Sequence, residues 1–277
     1  MKSAANTVAT CNNAGQEFLM ASTVNYEQQG GVAIIAMNRP DSLNGFTTEL
    51  CADLLKAFEK AHSDDSVRAV VFTGEGRAFS AGADLKQGFV GNRTTQEKLL
   101  LEYRPVLVAI AEIPKPVIAA VAGFAAGIGL SFAMHSDLLI MAEDSFLLSP
   151  FTTISLLPDG GANWLLVRQL GYHRAFQLSI ESERVSADRC LQLGIANRLV
   201  PTNELRDAAV AWAADLCKRA PLSIAATKKV MRHAMDHDWQ SCFELEAEEQ
   251  EKLRQSEDAK EGVDAFFEKR EPNFQGK

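Results

Sequence analysis

The chain has 277 residues, 47% hydrophobic and 23% charged, with a formal net charge of -8 at pH 7. That length admits one large domain or two small ones, and the acidic balance excludes a broad nucleic-acid face, which needs clustered Lys and Arg. Five scattered cysteines (Cys11, Cys51, Cys190, Cys217, Cys242), odd in number and without a C-x-x-C pair, point away from a zinc site or a disulfide framework and toward a reducing cytosol.

Residues 1–20 hold no apolar run of secretory-signal length and read as a disordered extension or added leader, with Met20 a candidate natural start. The run "VAIIAM" from Val32 predicts a buried strand, and "NRPDSLNG" after it a loop. Leu50, Leu54, Phe58 and Ala61 recur at spacings of three and four, which predicts an amphipathic helix over 47–62. A second buried strand follows at 67–73, then the Gly- and Ala-rich loop "EGRAFSAGADLKQG" and a helix over 94–112. Residues 116–134 form an uncharged stretch as long as a membrane span. Gly123, Gly127 and Gly129 divide it instead into a buried strand, a glycine-rich turn and a buried helix. The segment "DLLIMA" makes the fourth strand. From Gly160 onward the pattern is helical, with helices expected near 160–181, 186–193, 203–219, 222–236 and 239–255. Strands alternating with helices predict an α/β class with parallel pairing, divided into a core over 21–200 and a helical part over 201–277.

Three stretches place backbone amides or a carboxylate where a helix begins. In "FSAGADLKQ", the small residues Ala81, Gly82 and Ala83 let another molecule approach the main chain, although a plain tight turn is the reading this segment alone favours. In "GFAAGIGLSFAM", three glycines precede a helix whose first amides would stabilise an anion, or simply permit close strand-to-helix packing. Asp159, in "SLLPDGGANWLL", is either a helix cap or a proton carrier. Taken alone it reads as the cap, although Leu156, Leu157, Pro158 and Trp164 around it would raise its pKa, as a proton carrier requires. His233 and His237 are four apart but lack the acid of an H-E-x-x-H pattern, so no metal site is expected. No G-x-S-x-G supports a serine hydrolase.

Taken in order, Met37-Asn38-Arg39-Pro40 with Leu43-Asn44, the segment 79–85, the segment 123–146 and the segment 157–171 resemble the crotonase, or enoyl-CoA hydratase/isomerase, superfamily. The likeness runs from Thr23 to Lys277. It implies a spiral of β-β-α units with a C-terminal helical part that builds trimers or paired trimers, acting on an acyl-CoA thioester, with coenzyme A part of the substrate and no separate cofactor. The resemblance assigns the thioester oxygen to the backbone N–H groups of Ala83 and Ile128. It also places the substrate along Leu43, Ala81, Gly82, Asp84, Leu85 and Gly127, with Lys86 and Lys269 near phosphates.

The departures from the family pattern direct the choice of reaction. Ser131 stands where hydratases of the family carry one catalytic glutamate, and Phe151 where they carry the other. Phenylalanine cannot orient or deprotonate water. Asp159 falls where a branch of the family's isomerases keeps its only acid, which implies a 3-enoyl-CoA to 2-enoyl-CoA isomerase with Phe151 and Trp164 excluding water. The wording of 157–171 also resembles the ring-epoxide isomerase of phenylacetate degradation. A hydratase acting through Asp159 and a non-catalytic acyl-CoA-binding subunit are the rival readings. Glu97 and Glu102 are further acids on the helix over 94–112, expected on solvated faces.

Overall fold

The computed structural model of the chain describes residues 19–21, 23–86 and 93–277. Strands β1 (Leu19–Ala21), β2 (Val24–Gln29) and β3 (Val32–Met37) open the fold, followed by α1 (Thr48–Ser63) and β4 (Ala69–Gly74). Next come α2 (Thr95–Lys98), a π-helical turn at Leu99–Tyr103, α3 (Arg104–Glu112), β5 (Val117–Val121), β6 (Phe124–Ala126), α4 (Ile128–His135), β7 (Leu138–Ala142) and β8 (Phe146–Leu148). The remainder is α5 (Ala162–Leu170), α6 (Tyr172–Glu181), β9 (Arg184–Ser186), α7 (Ala187–Gln192), β10 (Arg198–Val200), α8 (Leu205–Cys217), α9 (Pro221–Ala234), α10 (Trp239–Arg254) and α11 (Glu257–Glu268).

The main sheet runs β1-β2-β3-β4-β5-β7-β10, antiparallel through β3 and parallel beyond it. All of β3 is buried because both faces of the sheet are covered, which is why its sequence is a continuous apolar run and not an alternation. Ala33, Ile35, Met37, Val70 and Phe72 face the cluster containing α1 and α3. Val32, Ile34, Val71, Ile118 and Ile140 face the other way, against Leu205, Ala209 and Ala213 of α8. The four-residue spacing of those three puts them on one stripe of α8, which packs on the sheet. Each fully buried Ile, Val or Phe contributes about 1.5–3 kcal/mol relative to exposure. Asp137 ties α9 to this layer: its carboxylate accepts from Lys228 Nζ at 2.7 Å, from an Arg232 guanidinium nitrogen at 2.9 Å and from the Val117 N–H at 2.9 Å.

A smaller sheet, β6-β8-β9, stands apart from the first. The expected turn at 123–127 contains β6, whose Ala-rich sequence carries no strand signal; it is a strand because Ala125 pairs with Leu147 and bridges Ser80. The helix expected over 160–181 is two helices: Gly171, at φ 75° and ψ 161°, breaks it into α5 and α6. The helix expected over 94–112 is continuous but passes through the π turn. β9, β10 and α11 were not anticipated, the two strands being three-residue segments that only their partners define. The expected leader falls outside the described residues except at its end, where Leu19 and Met20 pair with Tyr26 and Asn25. Among the described residues no helix is long and apolar enough to cross a membrane.

Candidate active site

Two glycine-containing segments converge at one place. Gly82 has φ 96°, and a Cβ there would lie 2.9 Å from the Ala126 carbonyl oxygen; a Cβ on Gly127, at φ 55°, would lie 3.7 Å from Gly82 Cα. Only glycine combines that φ with that approach. The first segment is held by alternate backbone bonds: Ala81 N–H donates to Leu43, Phe46 N–H to Gly82, and Asp84 N–H to Phe46, at 2.9, 2.8 and 3.0 Å. Between them the N–H of Ala83 has no protein partner among the described residues. In the second segment Gly127 N–H donates to Leu148 at 3.0 Å, and Ile128 is the first residue of α4, where a helical N–H has no internal acceptor. Two amides without a protein partner among the described residues thus lie on neighbouring segments.

Asp159 lies on the loop that packs against this helix. Gly160, at φ 60°, has no room for a Cβ, which would meet Ile128 Cδ1 at 2.3 Å and Ser131 Cβ at 2.9 Å. Ser131 Oγ donates to the Asp159 carbonyl at 2.7 Å. The residue at the usual place of a glutamate therefore fastens the acid's backbone. Gly160→Ala is expected to cost roughly 1–3 kcal/mol through strain and overpacking, read as a lowered urea midpoint together with reduced turnover; an unchanged midpoint contradicts this packing.

The carboxyl does not cap α5. The N-cap is Gly161 and has no side-chain cap bond; it is the Asp159 carbonyl that accepts from Ala162 N–H at 3.1 Å. Asp159 Oδ1 is buried with no hydrogen-bond partner among the described residues. Burial pushes its pKa up from 3.8 to about 6, against a bond from its own backbone N–H and the Lys98 charge, which lower it. Of the apolar neighbours foreseen in the sequence, Leu156 and Leu157 are exposed, at 54% and 71%, and Pro158 is buried. Trp164 is a correction too, its indole N–H donating to Asp236 at 3.2 Å with Arg168 over the ring, on the outer side of α5. Phe151 does face the site, its Cζ 3.9 Å from a Cβ built on Gly127. His135, whose Nδ1 lies 2.8 Å from the Ser131 carbonyl, has its pKa depressed by burial and stays neutral at pH 7.

The raised carboxyl has a stability consequence. With the unfolded group near 3.8 and the folded group near 6, the folded state binds more protons between those values. Stability contributed by this group therefore falls as pH rises through that window, by up to about 3 kcal/mol at about 1.4 kcal/mol per unit. Asp159→Asn is expected to recover part of it, raising the midpoint of urea unfolding at pH 7 and leaving it nearly unchanged at pH 4. Equal effects at both pH values contradict the burial argument.

The other foreseen residues divide. Asp84 is structural: its carboxylate pairs with Arg39 at 2.8 Å and accepts from Lys86 N–H at 3.0 Å. Leu43, at φ 51°, is partly buried, while Ala81, Leu85 and Lys86 line an exposed rim beside Ala83. Lys269 ends α11, and no contact among the described residues joins it to that rim. Glu97 closes a capping box with Thr94. Glu102 is not on a solvated face: it is buried, held by Arg93 at 2.6 Å and Thr48 at 3.0 Å. Among the described residues no metal-ligand cluster occurs. A cavity of about 1090 Å³ between α9 and the sheet, lined by Met134, Leu165, Ile224 and Phe274, contains none of Ala83, Ile128 or Asp159. Sequence reasoning passed over Tyr103 and Lys98: the Lys98 ammonium lies 5.6 Å over the Tyr103 ring, and its charge lowers the pKa of Asp159.

Layers of sheet and helix with two free amides beside a buried carboxyl define an enzyme of the crotonase class. Residues 27–277 match the family model "Enoyl-CoA hydratase/isomerase", and the chain belongs to that family. It is 36% identical over 255 residues to a probable enoyl-CoA hydratase of Rhodobacter capsulatus, covering 92% of this chain and 98% of that protein. It is 34% identical over 251 residues to the 1,2-epoxyphenylacetyl-CoA isomerase of Escherichia coli, covering 89% and 96%. The trans-2-decenoyl-[acyl-carrier-protein] isomerase of Streptococcus mutans is 32% identical over 256 residues, covering 91% and 97%. Among solved structures, an enoyl-CoA hydratase of Bacillus anthracis superposes with a TM-score of 0.88 at 27% identity, covering 92% and 100%. A probable enoyl-CoA hydratase/isomerase of Mycobacterium abscessus gives 0.84 at 33%, covering 92% and 99%.

Proposed function

We propose that the protein shifts the double bond of a 3-enoyl-CoA to the 2 position. The observation that carries this reading is a single acid of raised pKa, Asp159, on a loop packed against the helix that presents one of two unpaired amides. Asp159 takes a proton from C2, the electron pair passes to the thioester oxygen as a dienolate, and the N–H groups of Ala83 and Ile128 hold that oxygen. The same carboxyl then returns the proton to C4, leaving the double bond between C2 and C3. One acid suffices because the proton leaves and returns on one face. A pKa near 6 suits a group that must both accept and give. Ser131 anchors the loop and Phe151 limits water, and neither can replace a second glutamate.

The coenzyme A portion is placed along Leu43, Ala81, Leu85 and Lys86, on the exposed rim. The helical part 201–277 is assigned to oligomer assembly as a trimer or pair of trimers, since α10 and α11 carry exposed Trp239, Phe243, Phe266 and Phe267. The testing experiment supplies 3-enoyl-CoA and follows the conjugated 2-enoyl product by absorbance, with 2-enoyl-CoA and a ring-epoxide acyl-CoA as parallel substrates. Formation of the conjugated thioester supports isomerisation. Consumption of 2-enoyl-CoA alone replaces it with hydration, as the name of the Rhodobacter relative would have it. Reaction of the ring epoxide alone moves the substrate class toward that of the Escherichia coli relative.

A further inference from the structure

Ser80 is fully buried, and each of its polar atoms is bonded inside the molecule. Its N–H donates to the Phe124 carbonyl at 3.1 Å and its own carbonyl accepts from the Ala126 N–H at 2.9 Å, which sets it beside β6. Its hydroxyl donates to the Asn44 carbonyl at 2.8 Å and accepts from the Gly82 N–H at 3.1 Å. Asn44, equally buried, is itself fixed: its side-chain amide donates to the Glu75 and Ala78 carbonyls at 2.9 and 2.8 Å, and its Oδ1 accepts from the Arg39 N–H at 2.9 Å. The hydroxyl therefore joins the segment around Gly82 to an anchored point in the loop after β3. On its other side Ser80 meets α4, since a Cβ built on Gly129 would lie 2.8 Å from Ser80 Cβ and 2.9 Å from its Oγ.

The consequence falls on the amide of Ala83. Gly82 is buried between exposed Ala81 and Ala83, at a φ of 96° that glycine permits, but glycine by itself holds no single conformation. Both peptide planes that flank it are held from outside: the Ser80 hydroxyl takes the Gly82 N–H, and the Phe46 N–H donates to the Gly82 carbonyl at 2.8 Å. A trans peptide is planar with its N–H opposite its C=O, so the bond to Phe46 turns the Ala83 N–H away from Phe46. We propose that Ser80 is a positioning residue of the site: its hydroxyl holds the turn that presents the Ala83 amide, and its Cβ, against Gly129, sets how closely the start of α4 with the Ile128 amide approaches. This rests on the reading of those two amides as donors to the thioester oxygen. An apolar side chain of the same size would leave the Asn44 carbonyl and the Gly82 N–H, on two buried residues, without this partner.

Hexanoyl-CoA with an isotope label in its thioester carbonyl reads the donors without turnover, because it has no double bond to move and hydrogen bonds to the oxygen lower the carbonyl stretching frequency. Difference infrared spectra of the bound thioester are expected to show that lowering in the wild type and to lose about half of it in Ser80→Ala, where one of two donors is misplaced. For 3-enoyl-CoA, kcat should fall about 10- to 100-fold, as for a misplaced catalytic group. KM should stay within about threefold, since the contacts to coenzyme A persist. Loss of stability alone moves neither the carbonyl frequency nor the split between kcat and KM. Ser80→Cys keeps the shape with a more weakly bonding atom, so its frequency and kcat should fall between the two; it decides the matter if the Ala variant does not fold. A wild-type frequency in either variant overturns the role of Ser80. A wild-type enzyme that binds hexanoyl-CoA without lowering its frequency overturns the two donors and this role with them. A lowering that is lost in Ser80→Ala, in an enzyme that turns over no 3-enoyl-CoA, retains the role of Ser80 and removes the isomerase reading; turnover with the frequency unmoved in both variants does the reverse.

Discussion

Asp159→Asn is expected to lower kcat for 3-enoyl-CoA isomerisation by roughly 10³-fold, as a lone acid–base group supplies about 10²- to 10⁴-fold. The amide is nearly isosteric and the loop is anchored through the Asp159 carbonyl by Ser131, so substrate binding should persist with KM little changed. Among the described residues, two other carboxyls singled out in the sequence are engaged elsewhere: Glu102 is tied to Arg93 and Thr48, and Asp84 to Arg39. Retention of more than a tenth of wild-type kcat would show that the proton travels by another group. In the wild type, kcat/KM should fall as pH drops through the neighbourhood of 6, where protonation removes the base, and a limb near 4 would contradict the burial of this carboxyl.

The second large effect concerns the amide of Ile128. Ile128 is the first residue of α4, where proline fits the helix and merely removes the N–H. Removing one oxyanion-hole donor costs about 10²- to 10³-fold in kcat, and Ile128→Pro should show that loss. The proline also deletes the side chain that fills the space beside Gly160. Ile128→Ala removes the side chain and keeps the amide, so the kcat ratio of the two variants isolates the donor. If both lose activity equally, the amide is not part of the catalytic machinery.

Much of the fold was legible because the strands of the parallel sheet are apolar on both faces and the helices flanking it are amphipathic, as at 32–37 and 48–63. The three-residue strands β6, β8, β9 and β10 were not, since nothing local distinguishes "FAA" or "RLV" from loop until a partner lies alongside. Of the candidate site, the glycine positions and the acid stand in the amino-acid order, whereas the amides of Ala83 and Ile128 were singled out through the family resemblance. Trp164 was misplaced because its position on the outer side of α5 follows from where that helix begins, and the positive φ values of Gly160 and Gly161 delay that start to Ala162.

By itself the amino-acid order determined the α/β class, the pair of glycine-bearing segments and one acid with no second acid nearby in the motifs, because periodicity and backbone permissiveness are local properties. Only the tertiary structure decided what surrounds that acid. Leu156 and Leu157, close to it in the chain, are exposed, while Ser131 and Ile128, 28 or more residues distant, pack against its loop and the charge of Lys98 lowers its pKa. A carboxyl's pKa depends on the water removed from around it. That removal is the work of neighbours in space, which chain neighbours do not reveal.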